Sequence, residues 1–246
     1  MGSMFDTRTV AASVDPVAFE RHSAVLPEFY DFDLFNQPGQ HPSIDNCLLT
    51  ELTYTVFDTE TTGLDPRGGD EIISIGAVRI VNNHLVTDDR FEQLVNPMRP
   101  LRWESIQIHG IQESTLKDQP VIATVLPRFH QFAENTILVA HNAAFDMRML
   151  QIKEQDTGIR FINPVLDTML LSSIVHPAQE NHNLMTIAER LGIDVSGRHT
   201  AMGDALATYW EADTCARSCK PNVLTGAAPP TLSALALARL CYDTLL

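Results

Sequence analysis

The pattern of apolar and polar residues along the chain predicts strands first and helices afterwards. The apolar and β-branched run Leu52–Phe57 is typical of a buried strand, and residues 71–80 form a second apolar run. Asn82 and Asn83 favour a hairpin turn into a third strand over residues 91–95. Residues 137–140 predict a fourth strand. Apolar residues at helical spacing predict helices in five segments: 120–133, 142–152, 166–175, 184–191 and 200–213. Asn142 is the N-cap candidate of the second helix, and His141 and Asn142 are expected to fix the geometry of the loop before it. This order of elements favours an α/β fold, a mixed β-sheet flanked by helices.

Both ends of the chain depart from this pattern. Residues 1–47 are expected to form an N-terminal extension whose first three residues are a tag scar, and residues 48–213 a single domain. The aromatic-acidic patch at 28–35 is expected to pack on that domain and cover an edge strand, and the alternative is a partner-binding motif. Residues 214–246 are expected to form an irregular tail, because prolines and glycines interrupt helical periodicity there.

Two acidic residues follow the first predicted strand. Side chains on a strand alternate between faces, so Asp58 and Glu60 are expected to point the same way. Adjacent carboxylates at the end of a buried strand repel each other and are costly to desolvate, which favours a compensating cation. Oxygen ligands suit Mg²⁺ or Mn²⁺. The alternative is a pair of solvated acids at the start of a loop.

Three acidic motifs carry a family resemblance. They are Asp58-Thr59-Glu60-Thr61-Thr62-Gly63, the segment from Leu138 to Asp146, and the segment from His199 to Asp204. In this order and spacing they resemble the DEDD superfamily of 3′-to-5′ exonucleases, in the branch with a catalytic histidine, and most of all the proofreading subunits of bacterial DNA polymerase III. The resemblance covers residues 48–213 and implies a ribonuclease H-like arrangement of the sheet and its helices.

The resemblance implies a site with two Mg²⁺ or Mn²⁺ ions held by four carboxylates: Asp58, Glu60, Asp146 and Asp204. His199 would be the general base, because an imidazole, with an ordinary pKa of about 6.5, suits proton transfer at neutral pH. Five residues separate His199 from Asp204, about 140° on a helix. We therefore expect His199 in the loop that opens the last helix, with Thr200 as a plausible N-cap. The resemblance also implies that Glu104 and His109 contact the nucleotide. The backbone at Thr61 and Thr62 is expected to approach the terminal nucleotide, because Gly63 permits a close turn.

Composition limits the partners. The chain has 246 residues and a net charge of −14. No apolar run approaches the roughly 18 residues that cross a bilayer, so a cytoplasmic protein with no membrane partner is expected. So acidic a chain is expected to hold nucleic acid weakly, gripping only a 3′ end at the cations. Processive work would then need a partner, such as a DNA polymerase or another replication or repair protein.

The function expected from these residues is metal-dependent 3′-to-5′ exonuclease activity that releases nucleoside monophosphates, with DNA favoured over RNA. Single-stranded or mismatched ends are expected to react faster than matched duplex, which must fray first. One alternative is an exoribonuclease that trims RNA 3′ ends. Another is a non-catalytic scaffold subunit of a polymerase, although the presence of all four acids and His199 favours catalysis.

Overall fold

A computed structural model describes residues 51–193 and 199–218, with side chains as far as residue 213. In these ranges five strands form one sheet: β1 (Thr53–Thr61), β2 (Ile72–Val81), β3 (His84–Leu94), β4 (Ile137–Ala140) and β5 (Val165–Asp167). Their order across the sheet is β3-β2-β1-β4-β5. The β1–β2 and β2–β3 pairs are antiparallel, and the β1–β4 and β4–β5 pairs are parallel. The predicted mixed sheet is confirmed.

Eight helices accompany the sheet in the described ranges: α1 (Trp103–His109), α2 (Glu113–Leu116), α3 (Ile122–Ala133), α4 (Ala143–Gln151), α5 (Glu154–Thr157), α6 (Thr168–Val175), α7 (Leu184–Leu191) and α8 (Ala201–Ser218). Among these residues no helix combines the length and the apolar character that a membrane crossing requires.

The central strand β1 is buried on both faces. Phe57 packs in an apolar cluster with residues of α3 and α4, and its ring centroid lies 5.5 Å from that of Phe129. Val56, on the opposite face, packs in a second cluster with Tyr209 of α8. Successive side chains of one strand thus serve two hydrophobic cores, which places helices on both sides of the sheet.

Four boundaries differ from the sequence prediction. β1 continues to Thr61, so both predicted acidic ligands on it lie inside the strand. β3 begins at His84, well before residue 91, because Asn82 and Asn83 adopt φ angles of 50° and 61° and make a tight hairpin turn. Its polar residues hide this edge strand from an apolar pattern. Residues 165–167, predicted as helix or loop, form β5.

The fourth difference is at α8, which runs to Ser218 and so enters the segment expected to be irregular. The predicted N-terminal extension, residues 1–47, and the tail beyond Ser218 lie outside the described residues.

Candidate active site

Three carboxylates meet between β1 and α8. Asp58, Glu60 and Asp204 each offer an oxygen atom, and these atoms lie within 4.8 Å of one another. Asp58 and Glu60 are half-buried, whereas Thr59 between them and Thr61 after them are buried. The alternation places both acids on the face of β1 that α8 covers. The structure therefore brings together three of the four residues predicted to hold metal.

A glycine on the neighbouring strand lets α8 come this close. Gly76 of β2 pairs with Asp58 in the antiparallel register. A Cβ atom at Gly76 would lie 2.3 Å from the backbone nitrogen of Met202 and 2.4 Å from the carbonyl carbon of Ala201, closer than real Cβ contacts occur. The first turn of α8 thus rests directly on the β2 backbone, and this contact sets the height of Asp204 above the sheet.

The start of α8 matches the prediction for Thr200. Its hydroxyl oxygen accepts a hydrogen bond from the backbone N–H of Gly203 at 3.0 Å, so Thr200 is the N-cap. His199 lies just before it, half-buried, in the left-handed conformation with φ 60°. The predicted base is therefore in the loop that opens the helix, as the spacing from Asp204 required.

Asp146, the fourth predicted ligand, lies in the first turn of α4 and is buried. Its Oδ1 accepts hydrogen bonds from the backbone N–H of Thr59 at 3.0 Å and from the Thr59 hydroxyl at 2.6 Å. The parallel pairing of β1 with β4 ends at Val56 and Val139. The backbone N–H of Thr59 lies beyond this end, and Asp146 supplies its acceptor. Asp146 is thereby anchored to the residue between Asp58 and Glu60, although it is not one of the three whose oxygens meet.

Asp167, at the end of β5, fixes the turn from β4 into α4. Its carboxylate accepts from the backbone N–H groups of Asn142 at 3.2 Å and Ala143 at 2.9 Å. The same carboxylate caps α6 by accepting from Met169 and Leu170 at 2.9 and 3.3 Å. One buried side chain therefore positions the start of two helices, one of which carries Asp146.

The predicted N-cap role of the Asn142 side chain is wrong. The side chain makes no capping hydrogen bond, and the residue has φ 59°. A short connection from strand to helix requires a left-handed residue here, which asparagine tolerates better than most side chains. The capping oxygen comes instead from Asp167, 25 residues later in the chain.

His141 connects the end of β4 to α6 and α8. Its Nδ1 lies 3.0 Å from the Thr168 hydroxyl and 2.9 Å from a carboxylate oxygen of Glu211, which is fully buried. Burial lowers the pKa of His141, but the hydrogen bond that it donates to the Glu211 carboxylate and the charges of Glu211, Asp167 and Asp146 outweigh that effect, and the pKa is raised. His141 thus ties the loop before α4 to α6 and α8, as expected of a residue that shapes the loop.

The carboxylates at the site cannot all ionise easily without a cation. Burial, followed by the charges of Asp146, Glu60 and Asp204, raises the pKa of Asp58 well above its usual value. Burial and the charges of Asp204 and Asp146 raise the pKa of Glu60 to about 8. Burial raises the pKa of Asp146 to about 7, against the lowering effect of its hydrogen bonds from Thr59. An oxygen-only cluster with this repulsion fits a hard divalent cation.

The three predicted nucleotide contacts lie at the end of β1, where the loop after this strand begins, and on α1. The Thr61 hydroxyl donates to the carbonyl of Gly63 at 2.7 Å, and Glu104 is exposed in the first turn of α1. His109 is buried, which lowers its pKa, and its Nδ1 accepts from the backbone N–H of Ile111 at 3.0 Å. His109 is therefore neutral with its proton on Nε2, and within the described residues that buried Nε2 has no hydrogen-bond partner.

A fully buried carboxylate, Asp70, joins this loop to the segment before α1. It accepts from the Thr62 hydroxyl at 2.9 Å and from the backbone N–H of Asp65 at 3.0 Å. Arg99 and Arg102 each place a guanidinium nitrogen 3.7 Å from it. A side chain at Gly63 would collide with Asp70, so glycine is required for this closure.

Sequence reasoning missed four residues that position the site: Thr59, Asp70, Gly76 and Asp167. Asp167 carried a usable signal, since an aspartate before an apolar helical run is an N-cap pattern. The other three act across the sheet or across a loop, on partners that no local pattern specifies.

Comparison with known proteins identifies a matching family model and relatives of this chain. Residues 55–211, more than half of the chain, match the family model described as Exonuclease. A DNA polymerase III subunit epsilon-like protein of Rhodobacter capsulatus is 51% identical over 205 residues, which are 82% of this chain and 29% of that protein. The chain thus spans less than a third of that relative. The DNA polymerase III subunit epsilon of Rickettsia conorii is 35% identical over 64% of this chain and 70% of its own length.

A solved structure has the same fold. The nuclease domain of 3′hExo, a DEDDh family member bound to rAMP, superposes with a TM-score of 0.61 at 18% identity. The match covers 70% of this chain and 94% of that domain. The mixed five-stranded sheet with helices on both faces is therefore the ribonuclease H-like fold.

Proposed function

Because the chain belongs to the exonuclease family, we propose that it is a metal-dependent exonuclease that releases nucleoside monophosphates from nucleic acid 3′ ends. The observation that carries the proposal is the meeting of Asp58, Glu60 and Asp204 oxygens within 4.8 Å. Acids so close, with pKa values raised by burial and by one another, favour a bound cation over a purely structural role.

Asp58, Glu60 and Asp204 would hold divalent ions, Mg²⁺ or Mn²⁺, and Asp146 would complete a two-ion site. When bound, two such ions stabilise the charge on the attacking and leaving oxygens of a phosphodiester. One carboxylate oxygen of Asp146 already accepts two hydrogen bonds from Thr59, so the orientation of the side chain is fixed before any ion binds. This preorganisation supports a role for Asp146 at the site rather than a capping role in α4.

His199 would accept the proton of the attacking water. The water oxygen forms a new bond to phosphorus, and the bond to the 3′ oxygen of the preceding nucleotide breaks. The leaving oxygen takes a proton, which shortens the chain by one nucleotide and frees a nucleoside 5′-monophosphate. The position of His199 immediately before the Thr200 cap supports this role, because both the histidine and Asp204 depend on the same helix start.

His109 would contact the terminal nucleotide as a neutral donor. Its Nδ1 is occupied by the Ile111 N–H, so Nε2 carries the proton that a phosphate or sugar oxygen could accept. A buried donor without a partner costs about 1–3 kcal/mol, which a substrate oxygen would recover. Thr61, the last residue of β1, and Glu104, in the first turn of α1, would supply the other two contacts to the nucleotide.

We further propose DNA as the favoured substrate, with single-stranded or mismatched ends preferred over matched duplex. The net charge of −14 argues against a long nucleic-acid track, so the substrate is held at its last few nucleotides. The two polymerase relatives support DNA and a polymerase or other replication protein as partner. Trimming of RNA 3′ ends is the alternative function, and the rAMP bound to the solved nuclease domain of similar fold supports it.

The test uses four substrates of one sequence with a 5′ label: single-stranded DNA, mismatched duplex, matched duplex and single-stranded RNA. With Mg²⁺ or Mn²⁺ we expect a ladder that shortens by single nucleotides, fastest on single-stranded and mismatched DNA. Faster RNA cleavage would make the protein an exoribonuclease. Products released from internal sites would exclude an exonuclease, and inactivity on every substrate would favour a scaffold subunit.

A further inference from the structure

We propose that Trp103, together with Arg99 and Arg102, forms a stacking platform for an unpaired base of the substrate, outside the site of the terminal nucleotide. The inference rests on the proposed function, because it assigns a second contact to the same nucleic acid strand. Trp103 is the first residue of α1, next to Glu104.

Trp103 is unusually exposed for an indole, at 68%. Of the large apolar side chains exposed among the described residues, four lie on the loop after β1 or on the segment that leads into and forms α1: Leu64, Met98, Trp103 and Ile108. Exposed apolar groups concentrated on two segments that Asp70 joins indicate a contact surface rather than scattered surface residues.

Asp70 joins the two segments that carry three of these side chains. Leu64 precedes Asp65, whose N–H donates to Asp70. Met98 and Trp103 each adjoin an arginine that pairs with Asp70. The hydroxyl of Thr62, two residues after Glu60, also donates to Asp70. The platform is therefore tied to the strand that carries the acidic cluster by a short series of direct contacts.

The charges around Trp103 fit a phosphate backbone. Two guanidinium groups share the single carboxylate of Asp70, so one positive charge remains in excess within that group. The side chain of Arg102 is 53% exposed and keeps N–H groups available to solvent. Asp65 and Glu104 lie nearby and limit the excess, but a local cationic group is notable in a chain of net charge −14.

An exposed indole next to guanidinium groups is the chemistry that single-stranded nucleic acid recognises, since bases stack on the ring and phosphates pair with the cation. Stacking requires an unpaired base, so this platform would favour frayed or single-stranded ends. It would act on substrate binding rather than on the chemical step, because the base concerned is not the one being released.

The kinetic test compares Trp103→Ala and Trp103→Phe on oligothymidylate and on the p-nitrophenyl ester of thymidine 5′-monophosphate, which is too short to reach a second base. For Trp103→Ala we expect KM for the oligonucleotide to rise roughly 10-fold with kcat unchanged. Trp103→Phe should retain most of the affinity, and neither variant should alter the ester kinetics. Ile162→Ala, which trims another exposed apolar side chain, is the matched control. An unchanged oligonucleotide KM, or an equal loss on both substrates, would overturn the inference.

A binding test does not depend on hydrolysis. The chain has two tryptophans, so Trp210→Phe leaves Trp103 as the only indole. In chelator, oligothymidylate should quench the fluorescence of this variant and leave that of Trp103→Phe unchanged. Quenching without hydrolysis of either substrate would support the platform and defeat the exonuclease proposal. Absence of quenching at saturating oligonucleotide would overturn the platform. The exposed surface around Trp103 would then be assigned to contact with a protein partner.

Discussion

Replacing Gly76 with alanine tests how α8 delivers Asp204 to the acids on β1. The added methyl group would lie 2.3 Å from the Met202 nitrogen, whereas ordinary contact begins at 3.4 Å, so the first turn of α8 must retreat by about 1 Å. The atoms that the methyl group would meet are backbone atoms of Ala201 and Met202, which cannot rotate away as a flexible side chain would. Asp204 lies in the displaced turn and must move with it.

Misplacing a catalytic group by about 1 Å costs on the order of 10²-fold in rate, and overpacking of this kind costs about 1–3 kcal/mol of stability. We therefore expect Gly76→Ala to lower kcat by roughly 100-fold and to weaken Mn²⁺ binding. The assays are steady-state hydrolysis of single-stranded DNA, calorimetric titration with Mn²⁺, and urea unfolding of the same preparation.

Gly158→Ala is the matched control. Gly158 has φ 68° and open space around its missing Cβ, so alanine there costs only backbone strain, about 1 kcal/mol, away from the acidic cluster. It should lower stability and leave kcat unchanged. If Gly76→Ala keeps the wild-type kcat, or loses no more activity than Gly158→Ala does, the contact of α8 with Gly76 does not position Asp204.

Three further predictions follow from the site. His199→Ala should lower kcat by about 10²–10⁴, the range for a lost general base, with Mn²⁺ binding retained; an unchanged kcat would make His199 structural. Asp167→Asn should lower the free energy of unfolding by about 1–3 kcal/mol in urea and reduce activity, because an amide turns a donor towards N–H groups that need an acceptor; unchanged stability would contradict this. In chelator, the free energy of unfolding should fall as pH rises from about 5 to 8. The pKa of Glu60 is about 8 in the folded protein and about 4.5 in the unfolded chain, so over this range the folded state keeps a proton that the unfolded chain has lost. In urea titrations at about pH 5 and about pH 8, Glu60→Gln should reduce this loss of stability, and Mg²⁺ should oppose it. A rise in stability with pH would count against repulsion between the carboxylates.

Local patterns predicted the parts of this fold that are decided locally. β4 was placed at Ile137–Ala140 and α7 at Leu184–Leu191, where the structure has them, because each is a short apolar or amphipathic run with clear ends. Alternation along β1 correctly put Asp58 and Glu60 on one face. The spacing of His199 from Asp204 likewise placed the helix start between them.

What the sequence did not predict depends on contacts between distant residues. β5 has only three residues and leads directly into α6, so its apolar run could not be told from the helix. Asp167 reaches back 25 residues to cap α4, and no local pattern suggested it in place of Asn142. The meeting of Asp58 with Asp204 depends on the missing side chain of Gly76, which a strand pattern does not reveal.

The most direct test of the two-metal exonuclease is hydrolysis of 5′-labelled single-stranded DNA by metal-stripped protein titrated with Mg²⁺ or Mn²⁺. Asp58→Asn, which keeps the side-chain volume and removes the charge, is assayed beside the wild type. We expect no hydrolysis by the stripped wild type, recovery as either ion is added, and loss of at least about 10³-fold in the folded variant at every ion concentration. Hydrolysis that persists in chelator, or a wild-type rate from Asp58→Asn, would contradict the assignment of the acidic cluster as the catalytic centre.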